Sequence, residues 1–430
     1  MASSMILSGP FAAHTGTVAR PMSDLAFEID PARLLADLRH LATFGKQGTG
    51  VTRLAFSQPD IEARQWLRGR MEEAGLAAAI DDVGNVIGEA PAEGPAILIG
   101  SHSDSVPGGG WLDGAMGVIY GIEIARAVIE AGLAERCPVD AVAFQDEEST
   151  YLPTLGSRTL LSAVGEDEIS VARNIDGRRL SDAIAASGFA DNPPRRLDPG
   201  RYRAFLEAHI EQGPRLEATG TRIGVVTAIV GIRRFRLHVD GQAGHAGTVP
   251  MAMRKDAGAV AIGLSGAMLE AFAALAGPDT VWNVGSLTLT PGAANVIPEA
   301  AEIVVEIRDT DLAILDSLED RLRALAREHA DRSGQEIAAL RTLDIPPAAM
   351  DEGLGDEIEA TARALGAPHM RMPSGAGHDA MVLCRYMPAA MLFVPSIGGH
   401  SHTVIEDTSE DDIVLGCRVL AGAVARIADG

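Results

Sequence analysis

The sequence predicts an α/β protein in two parts: a large α/β domain, split by a smaller inserted α+β domain of ferredoxin-like type, with a four-stranded sheet and two helices. Three observations predict it. The runs at 96–99, Val139–Phe144 and Ala389–Val394 are apolar almost throughout, as strands buried on both faces of a mostly parallel sheet must be. Between the first two, Met116, Val118, Ile119, Ile122, Ala125 and Val128 recur at helical spacing. From about 224 the pattern changes to strict alternation, with Phe235, Leu237 and Val239 on one face and Arg234, Arg236 and His238 on the other.

In chain order, Asp30-Pro31 supplies an N-cap and a first-turn proline for a helix over about 31–44, which Gly45 ends. A second helix covers 59–74 and stops at Gly75, and short strands follow around Ile80 and Val86. The buried strand at 96–99 runs into Ser101-His102-Ser103-Asp104, a helix covers 114–133, and Val139–Phe144 ends in Asp146-Glu147-Glu148. The insertion contains a strand over 225–239, a helix over 253–275, strands near 281–289 and 302–307, and a helix over 313–330. Buried α/β signals resume after Gln335, and Ala389–Val394 ends near His400-Ser401-His402. The expected boundaries are therefore a loose leader at 1–25, the large domain at 26–223 and 336–430, and the insertion at 224–335.

Composition narrows the function. With 47% hydrophobic residues among 430, the chain can bury a substantial core. Its 36 basic and 59 acidic residues give a net charge of −23, which repels phosphate backbones and anionic headgroups and argues against nucleic-acid or membrane-surface binding. No apolar run is expected to reach the roughly 20 residues of a membrane helix. Cys137, Cys384 and Cys417 are too scattered for a disulfide framework or thiolate metal site, so the cytoplasm is the expected compartment.

Taken singly, a histidine after a strand or an acidic pair in a turn is more often structural than functional, and Gly108-Gly109-Gly110 lacks the spacing of a dinucleotide fingerprint. The joint pattern is different. Three buried strands end in clusters of His, Asp and Glu, and in open α/β sheets a site lies beyond the carboxyl ends of the strands. His102, Asp113, Glu148, His209 and His402 form a nitrogen and oxygen donor set that suits zinc, manganese, cobalt or nickel. A bridging Asp113 would give each of two divalent ions three protein ligands, and such a pair lowers the pKa of water and polarises a carbonyl. Asp104 could accept the second ring N–H of His102, and Glu147 is the natural general base.

Seven motifs carry a resemblance. They are Gly100-Ser-His-Ser-Asp-Ser-Val-Pro107, Gly109-Gly-Trp-Leu-Asp-Gly-Ala-Met-Gly-Val118, His209-Ile-Glu-Gln-Gly-Pro214, Gly244-His-Ala-Gly-Thr-Val-Pro-Met251, Ala294-Asn-Val-Ile-Pro298, Ser374-Gly-Ala-Gly-His-Asp-Ala380 and Ser401-His402. In this order they resemble the amidase/carbamoylase branch of the binuclear aminoacylase-type metallohydrolases, which includes N-carbamoyl-L-amino-acid hydrolases, β-ureidopropionases and allantoate amidohydrolases. The resemblance implies hydrolysis of a linear amide or ureido bond in an amino-acid derivative with a free carboxylate. It puts one ion on His102, Asp113 and His209, the other on Asp113, Glu148 and His402, and the base on Glu147. It puts an oxyanion-stabilising His245 in the insertion, substrate contacts on Gln212, Asn295, Arg308 and His378, and a homodimer through the inserted lid. Without the resemblance, Arg308 would read as a surface ion pair with Asp309 or Asp311. One stretch departs from the family pattern: Ser149-Thr150-Tyr151-Leu152-Pro153 stands where many members carry Gly-Ser-Arg-Phe, which bears on acyl-group specificity.

Overall fold

A computed structural model describes residues 25–430. The expected leader, apart from its last residue Leu25, lies outside the described residues.

Nine strands form the large sheet, in the order Ala348–Ala349, Ile223–Ile229, Ala389–Val394, Tyr202–Ile210, Ala96–His102, Val139–Phe144, Val86–Glu89, Ala77–Ile80, with His369–Ser374 paired to Ile223–Ile229 off this path. The four central strands, from Ala389–Val394 to Val139–Phe144, are parallel, so their carboxyl ends share one edge. Three are the apolar runs read from the sequence. The fourth, Tyr202–Ile210, was hidden because Arg203 and Glu207 interrupt its hydrophobicity. Glu207 is nevertheless fully buried, accepting hydrogen bonds from Ser101 Oγ (2.6 Å) and the Ala380 N–H (2.8 Å). Helices Ala115–Glu130 and Glu410–Asp429 cover one face of the sheet, where Ile99, Val118, Ile122, Leu206, Leu392 and Leu420 join one core.

The inserted unit is an antiparallel sheet in the order Val281–Thr290, Ala300–Asp309, Gly231–Asp240, Ile337–Ile345. Helices Ala257–Leu275 and Leu312–Ser333 pack on its Phe235, Leu237, Ile303 and Val305 face. Two boundaries differ from those expected. The alternating run at 225–239 is two strands: Ile223–Ile229 pairs in the large sheet and Gly231–Asp240 in the small one, with Val230 between them bonded to the Ser374 carbonyl (3.0 Å). Ile337–Ile345, expected in the large domain because buried α/β signals resume after Gln335, closes the small sheet. The sheets thus change at 230–231 and again after 345, later than the expected 224 and 335. Gly231–Asp240 alternates buried and exposed residues, whereas Ile223–Ile229 buries both faces, Val225 in one core and Val226 in another.

The membrane expectation also needs correction. Ala257–Leu275, 19 residues long, is apolar enough to cross a membrane by length and composition. Here Leu264, Met268 and Phe272 anchor it to the small sheet.

Candidate active site

The ligand candidates meet at the carboxyl edge of the parallel strands. His102 ends one strand and His209 nearly ends its neighbour, and the loop after Val139–Phe144 brings Glu147 and Glu148. Asp113 lies in the turn before Ala115–Glu130. That turn requires glycine: Gly114 has φ 64°, and a Cβ there would overlap the His102 ring.

Asp113 sits between the histidines. Its Oδ1 lies 3.0 Å from His209 Nε2 and 3.5 Å from His102 Nε2, while Oδ2 lies 3.3 Å from His402 Nε2. Glu148 Oε1 is 3.3 Å from the same His402 nitrogen. The donor atoms of His102, Asp113 and His209 lie within 4.8 Å of one another, as do those of Asp113, Glu148 and His402. A third convergent set, His102, Glu147 and Glu148, adds the candidate base to the cluster.

The protonation pattern tests whether cations fit. His102 Nδ1 faces the Asp104 carbonyl at 3.0 Å and His209 Nδ1 the Ile210 carbonyl at 2.9 Å. A carbonyl only accepts, so both Nδ1 atoms carry the proton; both Nε2 atoms lie beside Asp113, and that of His209 also accepts from the Gly114 N–H (3.1 Å). Lone pairs and carboxylate oxygens at 3.0–3.5 Å repel unless positive charge lies between them. Burial opposes protonation of the two imidazoles, yet Asp113 draws their pKa values upward. Burial also works against ionising Asp113, but the three histidines pull its pKa well below the usual range. Burial, reinforced by neighbouring carboxylates, pushes Glu147 and Glu148 up. The cluster therefore attracts cationic charge, and its nitrogen and oxygen donors fit two divalent metal ions.

Asp104 has a different role from the one expected. Its carbonyl, rather than its carboxylate, meets His102; the carboxylate oxygen is 3.7 Å from Nδ1. The carboxylate instead accepts the backbone N–H groups of Glu147 (3.3 Å) and Glu148 (3.1 Å) and so aims the acidic loop. Asp146 closes the same loop by accepting from the backbone of Thr150, Tyr151 and Leu152. Tyr151, in the stretch that departs from the family pattern, turns inward onto Phe56, with ring centroids 5.8 Å apart. Of the seven non-glycine residues with positive φ among those described, Asp146, Ser149, Thr154, Gln212 and His402 lie in loops around the cluster. Backbone strain is concentrated where these side chains are aimed.

Gln212 reaches the cluster, its Nε2 donating to Asp113 Oδ2 at 2.9 Å, while its Oε1 is buried without a partner. His378 is placed differently from a cleft-lining substrate contact. It is 1% exposed, packs edge-on against His209 at 4.6 Å and lies 2.9 Å from Ser374 Oγ. Burial, with His209 alongside, holds its pKa well below the ordinary histidine value.

The lid residues stand apart. His245 and Asn295 are exposed on adjoining segments of the insertion: His245 pairs with Val296 in a two-residue ladder, and Ala246 N–H donates to the Asn295 carbonyl. Among the described residues, the His245 ring has one hydrogen bond, from the Gly247 N–H (3.0 Å). Arg308 pairs with Glu306 (2.7 Å), and its Nη1 donates to the Gly375 carbonyl of the large domain (2.7 Å). Asp309 is committed to Thr280 and to the Asp311 N–H, so neither aspartate considered from sequence is the partner. Sequence reasoning missed Glu406, Asp379 and Glu207, buried carboxylates supporting the site. Asp379 beside His378 and Glu207 within an apolar run were the available signals.

A family profile described as Peptidase family M20/M25/M40 matches residues 98–426. The N-carbamoyl-L-amino-acid amidohydrolase of Paenarthrobacter aurescens is 36% identical over 339 residues, covering 77% of this chain and 82% of that protein. A ureidoglycolate hydrolase of Oryza sativa subsp. japonica is 33% identical over 416 residues, covering 93% and 85%. Among solved structures, an amidase of the hydantoinase/carbamoylase family from Burkholderia phymatum aligns with a TM-score of 0.88 at 48% identity, covering 94% of this chain and 98% of that one.

Proposed function

The chain belongs to peptidase family M20/M25/M40 and is an amidohydrolase, and we propose that it hydrolyses the linear C–N bond of an N-carbamoyl or N-acyl amino acid with a free carboxylate. The observation that carries this reading is the carboxylate-bridged pair of donor sets with Glu147 beside it. His102, Asp113 and His209 would hold one divalent ion, zinc, manganese, cobalt or nickel, and Asp113, Glu148 and His402 the other. When bound, the pair lowers the pKa of water and polarises the scissile carbonyl.

The chain's own residues do the rest. Glu147 takes the proton from the attacking water and delivers it to the leaving nitrogen, a role favoured by its place beside His102 and Glu148. His245 donates to the oxygen that gains charge as the carbonyl is attacked. Arg308 presents a planar fork to the substrate carboxylate, exchanging Glu306 for it, and Gln212 and Asn295 flank the bound molecule. Relatives named for carbamoyl amino acids and ureidoglycolate support a ureido group as the bond attacked. Three scattered cysteines, all free, support a cytoplasmic enzyme.

We further propose that two copies pair through the inserted domain and that each lends His245 to the other's metal site. Strand Val281–Thr290 is an outer edge of the small sheet, and the adjacent helix exposes Ile262, Leu269 and Leu275. An open strand edge beside an apolar helix face favours twofold pairing.

The test is a screen of N-carbamoyl, N-acetyl and aryl-acyl amino acids and allantoate with manganese, zinc, cobalt and nickel. Ureido hydrolysis releases ammonia and carbon dioxide, whereas deacylation releases a carboxylate. Turnover that survives complete chelation, or no turnover of any member, would overturn the reading.

A further inference from the structure

Neither donor set nor the proposed proton transfers use Glu406. It is 2% exposed and lies where two loops from distant parts of the chain meet. Its Oε1 accepts the backbone N–H groups of Leu112 (3.3 Å) and Asp113 (3.1 Å). Its Oε2 accepts the His402 N–H (3.3 Å) and lies 3.2 Å from the Ser401 hydroxyl, whose single proton it shares with Asp113 Oδ2, also at 3.2 Å. One carboxylate thus ties the loop that carries Asp113 to the loop that carries His402, although 293 positions separate Glu406 from Asp113. Gly110 makes room for it, since a Cβ there would overlap the Glu406 carboxylate.

The two halves of the site need this tie unequally. His102 and His209 are fixed by their strands and by Nδ1 bonds to carbonyls. His402 has a half-exposed side chain and a backbone at φ 56°, in a loop beyond any strand.

We propose that Glu406 is the positioning residue that sets His402 against Asp113 and so determines the affinity of the Asp113, Glu148 and His402 half of the metal pair. This rests on the two-ion reading above. A carboxylate is required because all four partners are donors; the isosteric amide keeps one accepting oxygen and turns N–H groups against backbone N–H groups. A group that merely stabilised the fold would weaken both ions together, whereas a positioning group weakens one.

The experiment is calorimetric titration of chelator-stripped protein with manganese(II), comparing the unmodified chain with Glu406→Gln, Ser401→Ala and His402→Ala. Thermal unfolding of each apo form checks folding. The binding step that His402→Ala removes identifies the affected half. In Glu406→Gln that step should weaken about 10- to 100-fold while the other changes little, and raising manganese should restore turnover. Ser401→Ala, which removes a hydroxyl shared between Glu406 and Asp113, should weaken the same step less. Equal weakening of both steps, or none, in folded Glu406→Gln overturns the proposal. Should Glu406→Gln fail to fold, the shorter carboxylate Glu406→Asp takes its place, and equal weakening of both steps, or none, overturns the proposal. A single binding step in the unmodified chain would defeat the two-ion reading itself, an outcome distinct from two ions bound alike by both proteins.

Discussion

The large sheet and the insertion of this protein build their functional groups in opposite ways. On the large sheet, His102, Asp113 and His209 are almost wholly buried, and each ring is locked by a backbone carbonyl or a neighbouring carboxylate. In the insertion, His245 and Asn295 lie exposed on and beside a two-residue ladder outside the small sheet, and Arg308, on that sheet, pairs with Glu306. The difference separates two requirements. Metal ligands must be in place before a cation arrives, because reorganising charged groups in a low-dielectric site is costly. On the proposed function, groups that meet the substrate must first admit it, and residues on a separate unit would complete the site on closure or pairing.

Breaking the buried side should have the largest effect. Glu147→Gln should retain both metal ions and substrate binding while turnover falls about 100- to 10,000-fold, because only the proton shuttle is lost. Metal analysis with single-turnover kinetics checks this, and a normal kcat would place the base elsewhere.

On the exposed side, His245→Ala should cost about 100- to 1,000-fold in kcat with metal content unchanged. Mixing it with Glu147→Gln sharpens the contrast between the two regions. If sites are shared across a dimer, one site of each hybrid carries both defects and the other neither, so random exchange should restore roughly a quarter of the unmutated activity. No recovery after verified exchange would place His245 on its own chain's metals.

The smallest effect should come from Arg308→Ala. It should weaken substrates with a free carboxylate by about 2 kcal/mol, the scale of a charged hydrogen bond, and weaken their methyl esters far less. Equal losses for acid and ester would leave Arg308 as a structural link between Glu306 and Gly375.

The sequence by itself determined the parts whose physics is local. Continuous apolar runs marked three of the four central strands, and Asp30, with its side chain accepting from Ala32 and Arg33, was legible as a helix cap. The ligand types followed from donor chemistry, and motif order pointed to the family. Only the tertiary structure decided what depends on contacts between distant segments. Tyr202–Ile210 is a central strand because Ser101 and Ala380 satisfy the buried Glu207 that masks its pattern. Ile337–Ile345 belongs to the small sheet because its partners lie on Gly231–Asp240, about a hundred residues earlier. Asp104 aims the Glu147 loop through backbone N–H groups that no side-chain pattern reports. Glu406, an ordinary acidic residue in the sequence, becomes a clamp only when folding brings four donors around it. Periodicity and residue type report what one segment buries or donates; which partner satisfies a buried polar group is settled only when the chain closes on itself.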